Sequence, residues 1–175
     1  MKQYIKLITL FSSTLIILLI IACNNQKTTA ISKFSGFPGS WRLVSRIDKT
    51  DTGEIINEPG LGSDPIALLM YDNFGNMSVQ IMKRERNSSS VTSIQQSSNN
   101  SVAFNGYDAY FGTYLIDTLN HQIKHRVQGA IDPKDIGKEL IRNYSISGDT
   151  LLLWFSTSNA NVKVTRTLTW IKELK

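Results

Sequence analysis

Three ionisable side chains interrupt otherwise apolar stripes in this 175-residue chain: His125, Arg142 and Arg166. Tyr110, Tyr114 and Tyr144 fall near them in the same alternating pattern. An imidazole in such a place can transfer a proton or orient a ligand, and a guanidinium offers a donor fork to a carboxylate. A buried charge is costly unless it is paired. By alternation, no Asp or Glu occupies the inward face of these strands. His125 and Arg142 are therefore expected to meet phenols and backbone carbonyls, an anionic ligand, or water at an open end. For His125 a structural role stands beside ligand recognition and proton transfer; for Arg142 more weight falls on binding. The tyrosines read as cavity wall.

Other chemistries fail on inventory. His121 and His125 are the two histidines, and four residues along a strand separates them by ~13 Å at ~3.3 Å per residue, too far to share a metal. Cys23 is the single cysteine, so no disulfide framework is expected. No Gly-x-Ser-x-Gly elbow and no glycine-rich phosphate loop occurs. Asp132 and Asp135 lie in a proline-containing turn and read as solvated. Catalytic residues, metals and cofactors are thus all assigned as none. The net charge of +5 falls to +3 without Lys2 and Lys6, and it is spread thinly. With no basic stripe carrying interleaved aromatics, nucleic acid is not an expected partner.

The elements that must place these groups are strands. Tyr110 to Ala130 reads as a β-hairpin, with Ile123, His125 and Val127 on one side of its second arm and Gln122, Lys124, Arg126 and Gln128 on the other. In its first arm Tyr110, Gly112, Tyr114 and Ile116 share a face. A turn about Leu119-Asn120 would set Tyr114 opposite His125 or a neighbour. Near the start of the domain, Trp41, Leu43, Ser45 and Ile47 should face inward, with Arg42, Val44, Arg46 and Asp48 outward. A short strand over Glu54–Asn57 follows. Ile66–Tyr71 and Asn76–Lys83 flank the turn signal Asp72-Asn73-Phe74-Gly75 as another hairpin. Glu139–Ser147 carries Leu140, Arg142, Tyr144 and Ile146 on one face. Thr150–Thr157 comes next, and a last strand aligns Val162, Val164, Arg166, Leu168 and Trp170. Arg84 to Asn105 is rich in Ser, Asn and Gln and is expected to be a loop, a lid or an insertion, with a short helix near Val102–Asp108. Eight or nine antiparallel strands suggest a sandwich or a closed barrel. Eight closed strands leave room for one small ligand.

At the N-terminus, Lys2 and Lys6 precede an apolar run from Leu7 to Ala22, short of the ~20 residues of a spanning helix. The end of that run, Ile20-Ile21-Ala22-Cys23, resembles a bacterial lipobox. The resemblance implies a signal peptide over 1–22, a lipidated Cys23 and attachment to a membrane of the cell envelope. Residues 23–36 read as a polar tether and 37–175 as the domain.

Several pieces in order resemble the lipocalin-like domain family: Gly39-Ser40-Trp41-Arg42-Leu43-Val44-Ser45, Leu69 through Met82, Tyr110-Phe111-Gly112-Thr113-Tyr114, His125, Arg142-Asn143-Tyr144 and Arg166-Thr167-Leu168-Thr169-Trp170. The likeness spans roughly 37–172 and implies an all-β, antiparallel lipocalin-like barrel with a cavity. Gly39-x-Trp41 also looks like the opening of true lipocalins. That implies a tryptophan closing the barrel floor with a late arginine, here Arg166, packed over its ring. The expected function is binding of a small hydrophobic or amphipathic ligand, with Tyr110, Tyr114, His125, Arg142 and Tyr144 at the site and Ile123, Val127, Leu140 and Leu153 as apolar wall. The alternatives are an isomerase or cyclase on the same barrel, and a solidly packed envelope interaction module. The sequence leaves the oligomeric state open.

Overall fold

The structure is a computed structural model, and it describes residues 36–86, 106–159 and 161–173. The expected signal segment and tether up to residue 35, with Cys23, and 87–105 of the polar stretch lie outside the described residues.

Nine strands follow in chain order: β1 (Gly39–Thr50), β2 (Ile55–Ile56), β3 (Ile66–Tyr71), β4 (Asn76–Met82), β5 (Tyr107–Asp117), β6 (Gln122–Ala130), β7 (Glu139–Ser147), β8 (Thr150–Asn159) and β9 (Val162–Lys172). Each from β3 onward pairs antiparallel with its neighbour in sequence. β1 closes the cylinder by pairing with both β3 and β9. The result is a closed barrel of eight strands, with β2 as a short addition to the end of β1. Pairing of β1 with β9 joins the two ends of the meander, as closure of a sheet requires. One turn of 3-10 helix, Pro133–Asp135, lies between β6 and β7.

Turn chemistry sets the register. Asp72 accepts from the Phe74 N–H at 2.8 Å, the Asn76 N–H at 2.7 Å and the Asn76 amide at 2.7 Å, and Gly75 adopts a φ of 91°. The β5–β6 turn is held the same way by Asp117 and Asn120, and His121 there takes a φ of 51°. That turn fixes Tyr114 opposite His125. The helix expected near Val102–Asp108 is replaced, where described, by the start of β5: Tyr107 and Asp108 are already paired with Met82 and Ile81.

The inward face of β1 differs from simple alternation. Trp41 and Leu43 point inward, but the pairing with β9 slips by one residue between Leu43 and Ser45. A bulge of one residue exchanges the two faces beyond it. Arg46 and Asp48 are therefore buried, while Val44 and Ile47 are exposed. This corrects the outward placement of Arg46 and Asp48 and the expectation of an interior without carboxylates.

One end of the barrel is plugged. Phe37 packs edge-on against Tyr71 and Tyr144, with ring centroids 5.9 Å and 4.8 Å apart, and Tyr71 lies 4.6 Å from Tyr114. Fully buried Trp41 donates its indole N–H to the Phe37 carbonyl at 2.8 Å. The cation over the Trp41 ring is Lys172, at 5.2 Å, and not Arg166. Arg166 pairs across from Asp48 near the other end of β1, so the expected packing of Arg166 on Trp41 is overturned by register.

Candidate ligand-binding cavity

Above the aromatic floor the barrel encloses a cavity of about 290 Å³. Apolar wall comes from Leu61, Leu69, Val79, Leu140, Leu153 and Phe155, and polar groups enter from Tyr110, His125, Arg142, Arg46 and Arg166 together with the carboxylates of Asp108, Glu139 and Asp135, the last buried and not, as expected, solvated. That is the composition expected of a small-molecule site, at the lower end of the usual volume range.

His125 sits deep in the barrel on β6 with both ring nitrogens occupied. The Tyr71 hydroxyl is 2.8 Å from Nε2 and the Tyr110 hydroxyl is 2.9 Å from Nδ1. Burial, with Arg142 adding to it, pushes its pKa down from 6.5 to about 3. It is therefore a neutral imidazole, carrying one N–H. Two phenol protons and this N–H serve two hydrogen bonds, so one phenol proton is left over. Tyr71 is buried away from the cavity, and its hydroxyl bonds only to His125 among the described residues. A spare proton there would be a buried orphan costing about 1–3 kcal/mol. The lower-energy arrangement has Tyr71 donating to Nε2 and Nδ1–H donating to Tyr110. The Tyr110 O–H is then free to point into the cavity it lines.

Beside that hydroxyl is Arg142. Its guanidinium stacks on the Phe155 ring at 3.7 Å and donates to the Ile141 carbonyl at 3.2 Å. Among the described residues it forms no ion pair with a carboxylate, in contrast to Arg46 and Arg166. Burial pulls its pKa down, opposed by the neighbouring Tyr110. It is half-buried and lines the cavity. Arg142 donates to the Tyr110 hydroxyl, and the Asp108 and Asp135 carboxylates act on the same phenol, so guanidinium, phenol and carboxylates meet at this part of the void.

Nearer the open end lies a second polar group of residues. Arg166 holds Asp48 in a two-pronged pair, Nε to Oδ1 at 2.6 Å and Nη2 to Oδ2, and Asn159 donates to the same carboxylate at 3.0 Å. Arg46 Nη1 is 3.6 Å from Glu58, whose carboxylate also accepts the Gly60 and Leu61 N–H groups at 3.0 Å and 2.7 Å. Those two bonds fold the loop before β3 around the Glu58 carboxylate, and the pair with Arg46 ties it to β1, with Leu61 in the cavity wall. Burial and Arg166 lower the Arg46 pKa to about 10, with Asp48, Glu58 and Asp108 acting in the opposite sense, so it stays charged at neutral pH.

Of the five residues expected at the site, Tyr110, His125 and Arg142 line the cavity. Tyr114 and Tyr144 belong to the floor below it. Tyr114 donates to the Asp72 carbonyl at 2.8 Å, and burial raises its pKa. Tyr144 packs on Phe37 and, at 6.0 Å, on His121. Leu140 and Leu153 are wall, as expected, whereas Ile123 and Val127 are buried outside the lining. Sequence reasoning missed Tyr71, Arg46 and Asp48. The only signal for Tyr71 was its place at the end of an inward-facing strand row.

A plugged aromatic floor beneath a closed eight-stranded meander accords with one further finding: the model of the lipocalin-like domain family matches residues 38–173. The chain belongs to the lipocalin-like domain family. No curated protein matches the chain. A lipocalin-like barrel is generally a small-ligand binder, and the cavity here rules out the solidly packed interior that an interaction module would have. The lipocalin-like fold by itself names no ligand; the polar groups inside it must do that.

Proposed function

We propose that the protein binds or carries a small amphipathic acid, its carboxylate or equivalent anion held by Arg142 and the Tyr110 hydroxyl and its apolar body against the leucine-rich wall. The supporting observation is Arg142: a half-buried guanidinium that lines the cavity and has no carboxylate ion-pair partner among the described residues. A partly desolvated cation in that state is stabilised by an incoming anion, and charge-assisted bonds to it are about twice as strong as neutral ones. A cavity of about 290 Å³, at the lower end of the usual range for small-molecule sites, favours a compact ligand. His125 serves to orient Tyr110. Both its nitrogens are engaged and its pKa of about 3 makes it a poor base near neutrality, which argues against the isomerase or cyclase reading.

We also infer that Cys23 is lipidated and that the barrel works on a membrane of the cell envelope. The supporting features are the basic start, the apolar run and Ile20-Ile21-Ala22-Cys23. Cys23→Ala should release the chain from the membrane fraction and abolish labelling by an alkynyl fatty acid; unchanged labelling would remove the anchor.

For the ligand, the chain is purified gently from its own host and its native and denaturing masses are compared. A non-covalent adduct that is an organic acid and is missing from Arg142→Met supports the proposal. An adduct with no acidic group, or one retained equally by that variant, contradicts it.

A further inference from the structure

Three side-chain donors are buried without a hydrogen-bond partner among the described residues: Arg46 Nη2, Arg166 Nη1 and Trp170 Nε1. All three residues line the same cavity. The remaining orphan, the acceptor Asn159 Oδ1, belongs to a residue outside the lining. The side chains of Arg46 and Arg166 retain only 3% and 1% of their accessible surface, so bulk water does not satisfy them. Native interiors leave few such groups, and each calls for a reason.

We propose that the ligand carries a neutral oxygen acceptor, a ketone or hydroxyl, which docks on Arg46 Nη2 and Arg166 Nη1 while its acidic group sits on Arg142. The inference rests on the acid-binding reading above and narrows the ligand to an oxygenated acid. Charge decides against a second anion at this place. Arg166 is already neutralised by Asp48, Arg46 faces Glu58, and Asp108 acts on Arg46 as well, so three carboxylates surround two guanidiniums. A second carboxylate would meet that negative surplus, whereas a carbonyl or hydroxyl oxygen accepts from the idle Nη atoms without it. The two subsites adjoin. The Arg142 guanidinium stacks on Phe155, the residue paired across from Arg166, and Arg166 acts on Arg142. The acid and the second oxygen therefore lie close together along the molecule.

The test uses the full-length chain in nanodiscs, titrated calorimetrically with octanoate, with oxo-octanoates bearing the ketone at each position in turn, and with octanedioate. The expected result is that one oxo isomer binds at least about tenfold more tightly than octanoate, and that octanedioate gains nothing over it. Arg46→Lys, which keeps a charge for Glu58 but removes Nη2, should bring the affinity of the best oxo isomer down to that of octanoate measured in the same variant. If octanoate binds and no oxo isomer improves on it, the acceptor site is overturned while the acid reading stands. Failure of every probe to bind counts against the acid reading itself. Octanedioate as the tightest probe overturns the neutral acceptor, and so does a crystal structure in which ordered water alone occupies both Nη atoms with the oxo acid bound elsewhere. The wild-type comparison decides the matter even where the variant does not fold.

Discussion

A histidine between two phenols is the residue on which the proton arrangement of the cavity turns. Burial lowers the His125 pKa from 6.5 to about 3, so between those values the unfolded chain binds one proton more than the folded chain. Stability must then fall as pH drops through that window, by about 1.4 kcal/mol per pH unit for this one proton, and must be fully present above 6.5. Urea unfolding of the wild type and His125→Gln at several pH values between about 7 and 4 isolates the contribution. The variant should show the shallower decline; parallel declines would mean that His125 titrates normally. His125 and Arg142 were legible in the sequence as polar intrusions on apolar faces. Their partners were not. Tyr71 lies 54 residues before His125, and nothing in local alternation relates them. Tyr114 shares a strand face with Tyr110 but comes closer to the floor, and periodicity says which side a residue faces without saying how deep in a barrel it sits.

At the scale of elements, two devices hold the barrel closed. The first is the Asp48–Arg166 clasp between β1 and β9, spanning 118 residues of sequence in a buried setting. Asp48→Asn leaves Arg166 as an uncompensated buried charge and should cost about 3–5 kcal/mol. The double replacement Asp48→Leu with Arg166→Met should recover most of that loss in chemical denaturation; no recovery would show that the pair contributes more than mutual neutralisation. The second device is the bulge in β6, where Gln128 stands unpaired as the pairing with β5 shifts between Phe111 and Gly112. A Cβ on Gly112 would stand 2.0 Å from the Arg126 carbonyl oxygen. Gly112→Ala should therefore cost about 1–3 kcal/mol or more, because backbone must move. Gly129→Ala meets only the Phe111 ring, an exposed side chain able to swing aside, and should cost less. Equal losses in the two variants would mean that the bulge has slack. Strand order and the β5–β6 and β3–β4 turns were readable from alternation and Asn/Gly/Asp punctuation. The β1 bulge was not: one unpaired residue carries no compositional mark, yet it turned Arg46 and Asp48 from surface into interior.

The whole molecule is a barrel whose interior holds three guanidiniums, two of them in ion pairs with described carboxylates and the third facing a void. Fold and family were legible because many short motifs fell in one order over nearly the entire domain. The ligand was not, because its recognition depends on which polar groups a closed sheet brings together and which it leaves unpartnered. The most direct measurement of the central claim is a calorimetric titration of the chain with octanoate and, separately, octylamine, repeated for Arg142→Met. Cavity, length and apolar body are the same for both probes, so only the sign of the head group differs. Octanoate should bind the wild type and weaken by about 10–100-fold in the variant, the ~1.5–3 kcal/mol of a charged hydrogen bond, with octylamine binding weakly to both. Equal affinity for the acid and the amine, or octanoate binding that Arg142→Met leaves untouched, would contradict an anion site at Arg142.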